Sequence, residues 1–290
     1  MERMPFPVTK PSYKTWEPVF KNPGSIALKS FVTAVSPLKK QGVLNLNHPK
    51  AAAIKNDSLP QKAPVLAHWI RHKKFGDYLI DAGLDSSYQK RPYGRYKGIL
   101  VRIFMSKTVQ EKGGDIRSRI DENQVDLKGI FFTHLHFDHI GGAIDIPKGL
   151  PIRYAAGKGE THITVNKKFL FRSPDFLEGV DTLYEIDFNH NHAVDMPLLG
   201  KCVDIFGDGS LWAISTPGHT PGHMAFLVNS DSGPVLLTGD ACLMKAGFEL
   251  GIGPGIYSKN IEEAQKSLDK LTAFAEKYPA VKVVFGHQLE

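Results

Sequence analysis

Thr133-His134-Leu135-His136-Phe137-Asp138-His139-Ile140-Gly141-Gly142 gathers three imidazoles and a carboxylate into one short stretch of chain. Imidazole suits zinc and other borderline first-row metals, and an adjacent carboxylate supplies the negative charge that a second dication close by requires. The preceding run, Gly129-Ile130-Phe131-Phe132-Thr133, reads as a buried strand that delivers the cluster to a loop at its carboxyl end. In extended backbone His134 and His136 share one side, whereas Asp138 and His139 follow where the chain must turn, so two sets of ligands can face two ions. Gly141 and Gly142 give the chain freedom to leave and allow close approach to the metal, a steric role.

The pattern recurs at three later breaks. Leu211-Trp212-Ala213-Ile214-Ser215 is strand-like and runs into Thr216-Pro217-Gly218-His219-Thr220-Pro221-Gly222-His223. Pro234 to Thr238 runs into Gly239-Asp240, and Val281 to Phe285 into Gly286-His287. Each β-rich run ends in a turn that carries a candidate ligand.

The HLHFDHIGG, TPGHTPGH, TGD and FGH segments resemble those of the metallo-β-lactamase superfamily of dinuclear metallohydrolases, over about Lys29 to His287. The resemblance implies an α/β fold, the four-layer αββα sandwich, with the metal site at the edge between the two sheets. It implies that His134, His136 and His219 bind one metal and Asp138, His139 and His287 a second, with Asp240 bridging. His223, second of its pair, is left to orient the loop through hydrogen bonds. A β-lactam substrate is disfavoured because Asp240 stands at the bridging position and Cys242 beyond it. A glyoxalase II activity is disfavoured because the chain carries no helical region after His287. The features most resemble N-acyl homoserine lactonases, with one departure. Those enzymes have a Tyr shortly after the bridging Asp that contacts the substrate carbonyl, and Leu243 here cannot donate that hydrogen bond.

Two adjacent dications predict a bridging hydroxide at neutral pH, because coordination brings the pKa of water from about 16 toward 7. It would attack the carbonyl of a lactone or other carboxylic ester, with Asp138 relaying a proton to the leaving oxygen. The cofactors expected are two divalent ions, zinc preferred on donor type, with manganese or iron also compatible. A phosphodiesterase or nuclease built on the same two metals is the alternative.

Composition bounds the rest. The 290 residues, 42% hydrophobic, suit one large α/β domain, placed at 29–290 behind an N-terminal extension at 1–28 rich in proline (Pro5, Pro7, Pro11, Pro18, Pro23). No apolar run approaches the roughly 18 residues of a bilayer span, and no signal region opens the chain, so no membrane partner is expected. Two cysteines provide no disulfide framework, which predicts a reducing cytoplasm. Residues 1–128 carry 23 Lys or Arg against 11 Asp or Glu, and the remainder 13 against 19. The basic, tyrosine-interleaved stretch Lys90 to Lys97 could attract an anion, but nothing matches a nucleic-acid module. The partner expected is a small-molecule substrate, with a homo-oligomer left open.

Asn260 and Glu263 resemble a capping box ahead of a helix whose stripe is Ile261, Ala264, Leu268, Leu271 and Ala275. The 41–62 excursion is polar, whereas that at 157–199 carries phenylalanines that either line a pocket or anchor it to the core. His48, His68, His72, His162, His190 and His192 have no ligand segment, so surface or hydrogen-bonded roles are expected.

Overall fold

The computed structural model describes residues 1–8, 11, 13–21, 24–54 and 59–289; Pro23, positions 55–58 of the polar excursion and the final Glu290 lie outside them. Side-chain alternation shows how its strands stack. In Leu127–Phe132, Ile130 and Phe132 enter one apolar cluster and Phe131 another, and Leu79 and Ile80 divide the same way. Strands apolar on both faces belong to an inner layer. Ala213, Phe226 and Val228 join the cluster of Phe131 and Ile80, while Trp212, Ile214 and Leu227 join a third.

Two sheets therefore pack face to face. In spatial order the first holds Glu2–Pro5, Thr182–Ile186, Arg153–Gly157, Leu127–Phe132, Gly76–Ile80, Lys62–His72 and Ile26–Pro37. In the second, Met224–Ser230 is flanked by Leu211–Ser215, Gly200–Asp204 and Val194–Met196 on one side, and by Gly233–Leu237 and Lys282–Val284 on the other. The pair Ile26 with Ser230 joins the sheets. Ile116 and Ile120 of helix Ile116–Glu122 cover the outer face of the first sheet. Leu271 and Phe274 of helix Ile261–Lys277 cover that of the second. The expected four-layer αββα sandwich is the observed architecture.

The long helix starts where the sequence predicts, with Asn260 Oδ1 accepting from Glu263 N at 3.1 Å. Its buried stripe ends on Phe274 instead of Ala275, because the larger ring fills the space beside Trp16, at 5.4 Å between centroids. Gly141 and Gly142 are steric, but the neighbour they make room for is backbone: a Cβ on Gly142 would lie 2.2 Å from the Ala82 carbonyl oxygen.

The first 28 residues engage both sheets. Glu2–Pro5 pairs in parallel with Thr182–Ile186, and Trp16 is 0% exposed, with Nε1 donating to the Pro197 carbonyl at 2.9 Å. In the 157–199 excursion, Phe176 and Leu177 anchor to the core while Phe169 is 70% exposed. Among the described residues no helix is long and apolar enough to cross a membrane.

Candidate metal centre

Four strand ends meet at one edge of the sandwich. Leu127–Phe132 comes from the first sheet, and its loop turns into the one-turn helix Phe137–Ile140. The other three come from the second sheet: Leu211–Ser215 leads to His219, Gly233–Leu237 to Asp240, and Lys282–Val284 to His287. Gly218, at φ +126°, lets the His219 turn lie against the long helix, where a Cβ would meet Ala264 N at 2.1 Å.

All seven residues singled out in the sequence are brought together. Their donor atoms form three groups, each within 4.8 Å: His134, His136 and His219; His134, His139 and Asp240; Asp138, His139 and His287. His136 Nδ1 lies 2.9 Å from both His134 Nε2 and His219 Nε2. One ring nitrogen cannot satisfy two imidazole lone pairs, whereas a cation at their centre satisfies all three.

Outer hydrogen bonds fix which atoms face inward. His139 Nδ1 lies 2.8 Å from Asp81 Oδ2, and His287 Nδ1 donates to the Pro64 carbonyl at 2.9 Å. The inner Nε2 atoms of these rings therefore face Asp240 Oδ1 at 3.4 and 3.5 Å, and His287 Nε2 faces Asp138 Oδ2 at 3.6 Å. Among the described residues, His139 Nε2 and Asp240 Oδ1 are buried without a hydrogen-bond partner. Lone pairs of imidazole and carboxylate aimed at each other are repulsive unless a proton or a metal lies between them. The donor set thus fits divalent cations.

The charge balance agrees. Burial alone would lower the His139 pKa, but Asp81 and Asp240 outweigh it and hold it well above its ordinary value. His287 is raised against the same penalty by Asp240 and Asp138. Burial opposes ionisation of Asp240, yet His287 and His139 keep its carboxyl far below the usual range. Burial, reinforced by neighbouring imidazoles, drives His134 and His219 well below ordinary histidine.

Two supporting acids escaped the sequence reading. Asp81 accepts from Thr133 N at 2.8 Å and contacts His139, so it ties the end of one strand to the ligand loop of the next. Glu160, 1% exposed, accepts from Leu135 N at 3.0 Å and Gly222 N at 2.9 Å, clamping the His134 and His219 loops together. Asp81 stands at a strand end like the ligands and could have been sought there; Glu160 sits in a turn with no recognisable signal. His223 Nε2 accepts from Asp240 N at 3.0 Å while Nδ1 meets Thr216 Oγ1 at 2.8 Å, so it aligns the Asp240 loop. Burial pushes its pKa down to about 3. Of the remaining histidines, His68 bonds Ser30 and His72 bonds Asp208.

A cavity of about 420 Å³ opens over His136, Asp138, His219, Asp240 and His287. Its walls are largely apolar, with Leu38, Phe104, Met105, Phe137 and Leu243. Tyr257 lines this cavity and a second one that also reaches His136 and His219. Its ring lies flat on Gly42, where a Cβ would be 2.2 Å away, and its hydroxyl accepts from Lys39 N at 2.9 Å.

Residues 63–287 match the family described as Metallo-beta-lactamase superfamily. The chain is 30% identical over 218 residues to the N-acyl homoserine lactonase AttM of Agrobacterium fabrum, spanning 73% of this chain and 77% of the relative. It is 28% identical over 219 residues to an N-acyl homoserine lactonase of a Bacillus species, spanning 74% and 78%. A quorum-quenching N-acyl homoserine lactone lactonase superposes with a TM-score of 0.63 at 20% identity, over 90% of this chain and 91% of that one. The dizinc quorum-quenching lactonase AidC, in complex with a product, superposes with a TM-score of 0.59 at 15% identity, over 92% and 88%.

Proposed function

The chain belongs to the metallo-beta-lactamase superfamily, and from that premise we propose that it is a metal-dependent hydrolase of lactones bearing an apolar substituent. The convergence of the three donor groups on the floor of one apolar cavity carries this reading; the lactonase relatives supply the reaction class. His134, His136 and His219 would hold one divalent ion and Asp138, His139 and His287 the other, with Asp240 shared between them. Zinc suits a donor set dominated by imidazole. When bound, such a pair supplies an acidified water as nucleophile and polarises the carbonyl under attack.

The chain's own groups do the remainder. Asp81 and the Pro64 carbonyl hold His139 and His287 in the tautomer whose Nε2 faces the centre. Asp138 lines the cavity and is placed to pass a proton to the alkoxide that leaves when the ring opens. Tyr257 Oη already accepts from Lys39 N, so its proton is free for the substrate carbonyl. Leu38, Phe104 and Met105 exclude water and receive the apolar substituent. A phosphodiester is a poorer fit, since among the described residues lining the cavity Lys39 is the one Lys or Arg. The unpaired, buried Cys202 and Cys242 suit a reducing cytoplasm.

Purified protein assayed against acyl-substituted lactones, aryl esters and bis-p-nitrophenyl phosphate, with its metal content measured, tests this reading. Lactones should be turned over fastest, and His134→Ala should remove both bound metal and turnover. Turnover of the phosphodiester alone, lost in the same variant, would reject it.

A further inference from the structure

Beside the cavity mouth two segments pair to form an apolar face with a basic rim. Ile99 N donates to the Phe169 carbonyl at 3.1 Å and Leu100 N to the Leu170 carbonyl at 3.0 Å, which fastens residues 97–107 to the hairpin at 166–172. Phe104 meets Phe171 edge to face at 5.5 Å. Large side chains here are held in water: Ile99 is 68% exposed, Ile103 72%, Phe104 64% and Phe169 70%. An apolar cluster of this kind marks a surface that is covered in use.

Charge identifies the cover. The two segments contain Lys97, Arg102, Lys107, Lys167, Lys168 and Arg172, all exposed, and no acidic residue. Among the described residues none of the six has an ion-pair partner. A second copy meeting this face symmetrically would bring two basic rims together, which is repulsive. Apolar tips surrounded by unpaired cations instead match an anionic bilayer, with the tips entering the headgroup boundary and the rim attracting lipid charge. We propose that this face docks on anionic lipid surfaces. Phe104 belongs to both the face and the cavity wall, so docking would set the cavity mouth against the leaflet. The contact is peripheral and needs no spanning helix, so it departs from the sequence expectation of no membrane partner, and it is independent of the reaction assigned to the cavity.

Sedimentation of the full chain with vesicles of phosphatidylcholine alone, and of an equimolar mixture with phosphatidylglycerol, tests the proposal. Binding should require the anionic lipid and weaken as salt is raised. At roughly fivefold per lysine near the surface, Lys167→Gln with Lys168→Gln should lower partitioning about 25-fold. Ile103→Asp with Phe169→Asp should weaken it comparably, with hydrolysis of a water-soluble ester retained as the check on folding. Equal binding to both vesicles, or to neither, overturns the proposal. So does a dimer in free solution that dissociates in the Ile103→Asp, Phe169→Asp variant, which would assign the face to a second copy.

Discussion

Asp81 Oδ2 stands 2.8 Å from His139 Nδ1, and the same carboxylate accepts from Thr133 N and Thr133 Oγ1. Asp81 adopts φ +60°, a left-handed conformation that Asp tolerates better than most residues. The backbone strain is retained where a carboxylate must reach under the ligand loop. Asp81→Asn keeps the shape and removes the charge that fixes the His139 ring. Metal content should fall, and kcat/KM should drop about 10- to 100-fold, the usual cost of losing a carboxylate behind a ligating histidine. Elemental analysis and steady-state kinetics check this; full metal content at full rate would refute the role.

Metal binding should release protons near neutral pH. In the metal-free protein Asp81 and Asp240 overcome burial and raise His139, and Asp240 and Asp138 raise His287, so these rings hold protons where ordinary histidine has largely lost them. Ligation requires the neutral ring. Titration calorimetry of the apoprotein with zinc in buffers of different ionisation enthalpy should give a heat that depends on the buffer. A buffer-independent heat would mean that no proton leaves.

His68 supplies a pH dependence outside the candidate metal ligands. Burial, with a smaller contribution from His139, lowers its pKa from 6.5 to about 4. A depressed folded pKa means that the unfolded chain binds the extra proton first. The contribution is therefore present above about pH 6.5 and is lost as pH falls toward 4. Between pH 7 and pH 5 this amounts to about 2 kcal/mol. Denaturant unfolding of His68→Asn should show a correspondingly flatter decline over that interval; an unchanged slope would place the dependence elsewhere.

The candidate ligands were legible because each follows a strand, and a strand end leaves a local signature of β-branched or aromatic residues running into Gly, Pro or His. The layered fold came with the resemblance carried by those segments. What the sequence concealed depends on contacts between distant positions. Asp81 meets His139 across 58 residues and Glu160 meets Gly222 across 62, and no local periodicity marks such pairs. Phe274 displaced Ala275 from the helix stripe because Trp16, 258 positions away, provides its packing partner. Trp16 itself lies between prolines in a stretch without periodicity.

Trp16 should carry substantial stability despite its place in the N-terminal extension. It is fully buried, packs edge to face on Trp212 at 5.3 Å and Phe274 at 5.4 Å, and satisfies its indole N–H on Pro197. Trp16→Ala should cost about 3–5 kcal/mol, the range for truncating a large buried aromatic. Thermal or denaturant unfolding measures it, and a loss below about 1 kcal/mol would show that the segment is dispensable to the core.

Tyr257 should supply the hydrogen bond that Leu243 cannot. Leu243 is buried at the cavity wall and carries no donor, whereas the Tyr257 hydroxyl reaches the same cavity with its oxygen engaged by Lys39 N and its proton unspent. A donor aimed at a developing oxyanion is commonly worth about a hundredfold in rate. Tyr257→Phe preserves the ring that rests on Gly42, so turnover should fall by about that factor in kcat with little change in KM. Loss of packing alone would instead raise KM or lower stability. Placing a phenol at position 243 of the same cavity, Leu243→Tyr in the Tyr257→Phe background, should recover part of the lost rate. An undiminished kcat in Tyr257→Phe would remove Tyr257 from the reaction and leave polarisation of the carbonyl to the metal ligands' ions alone.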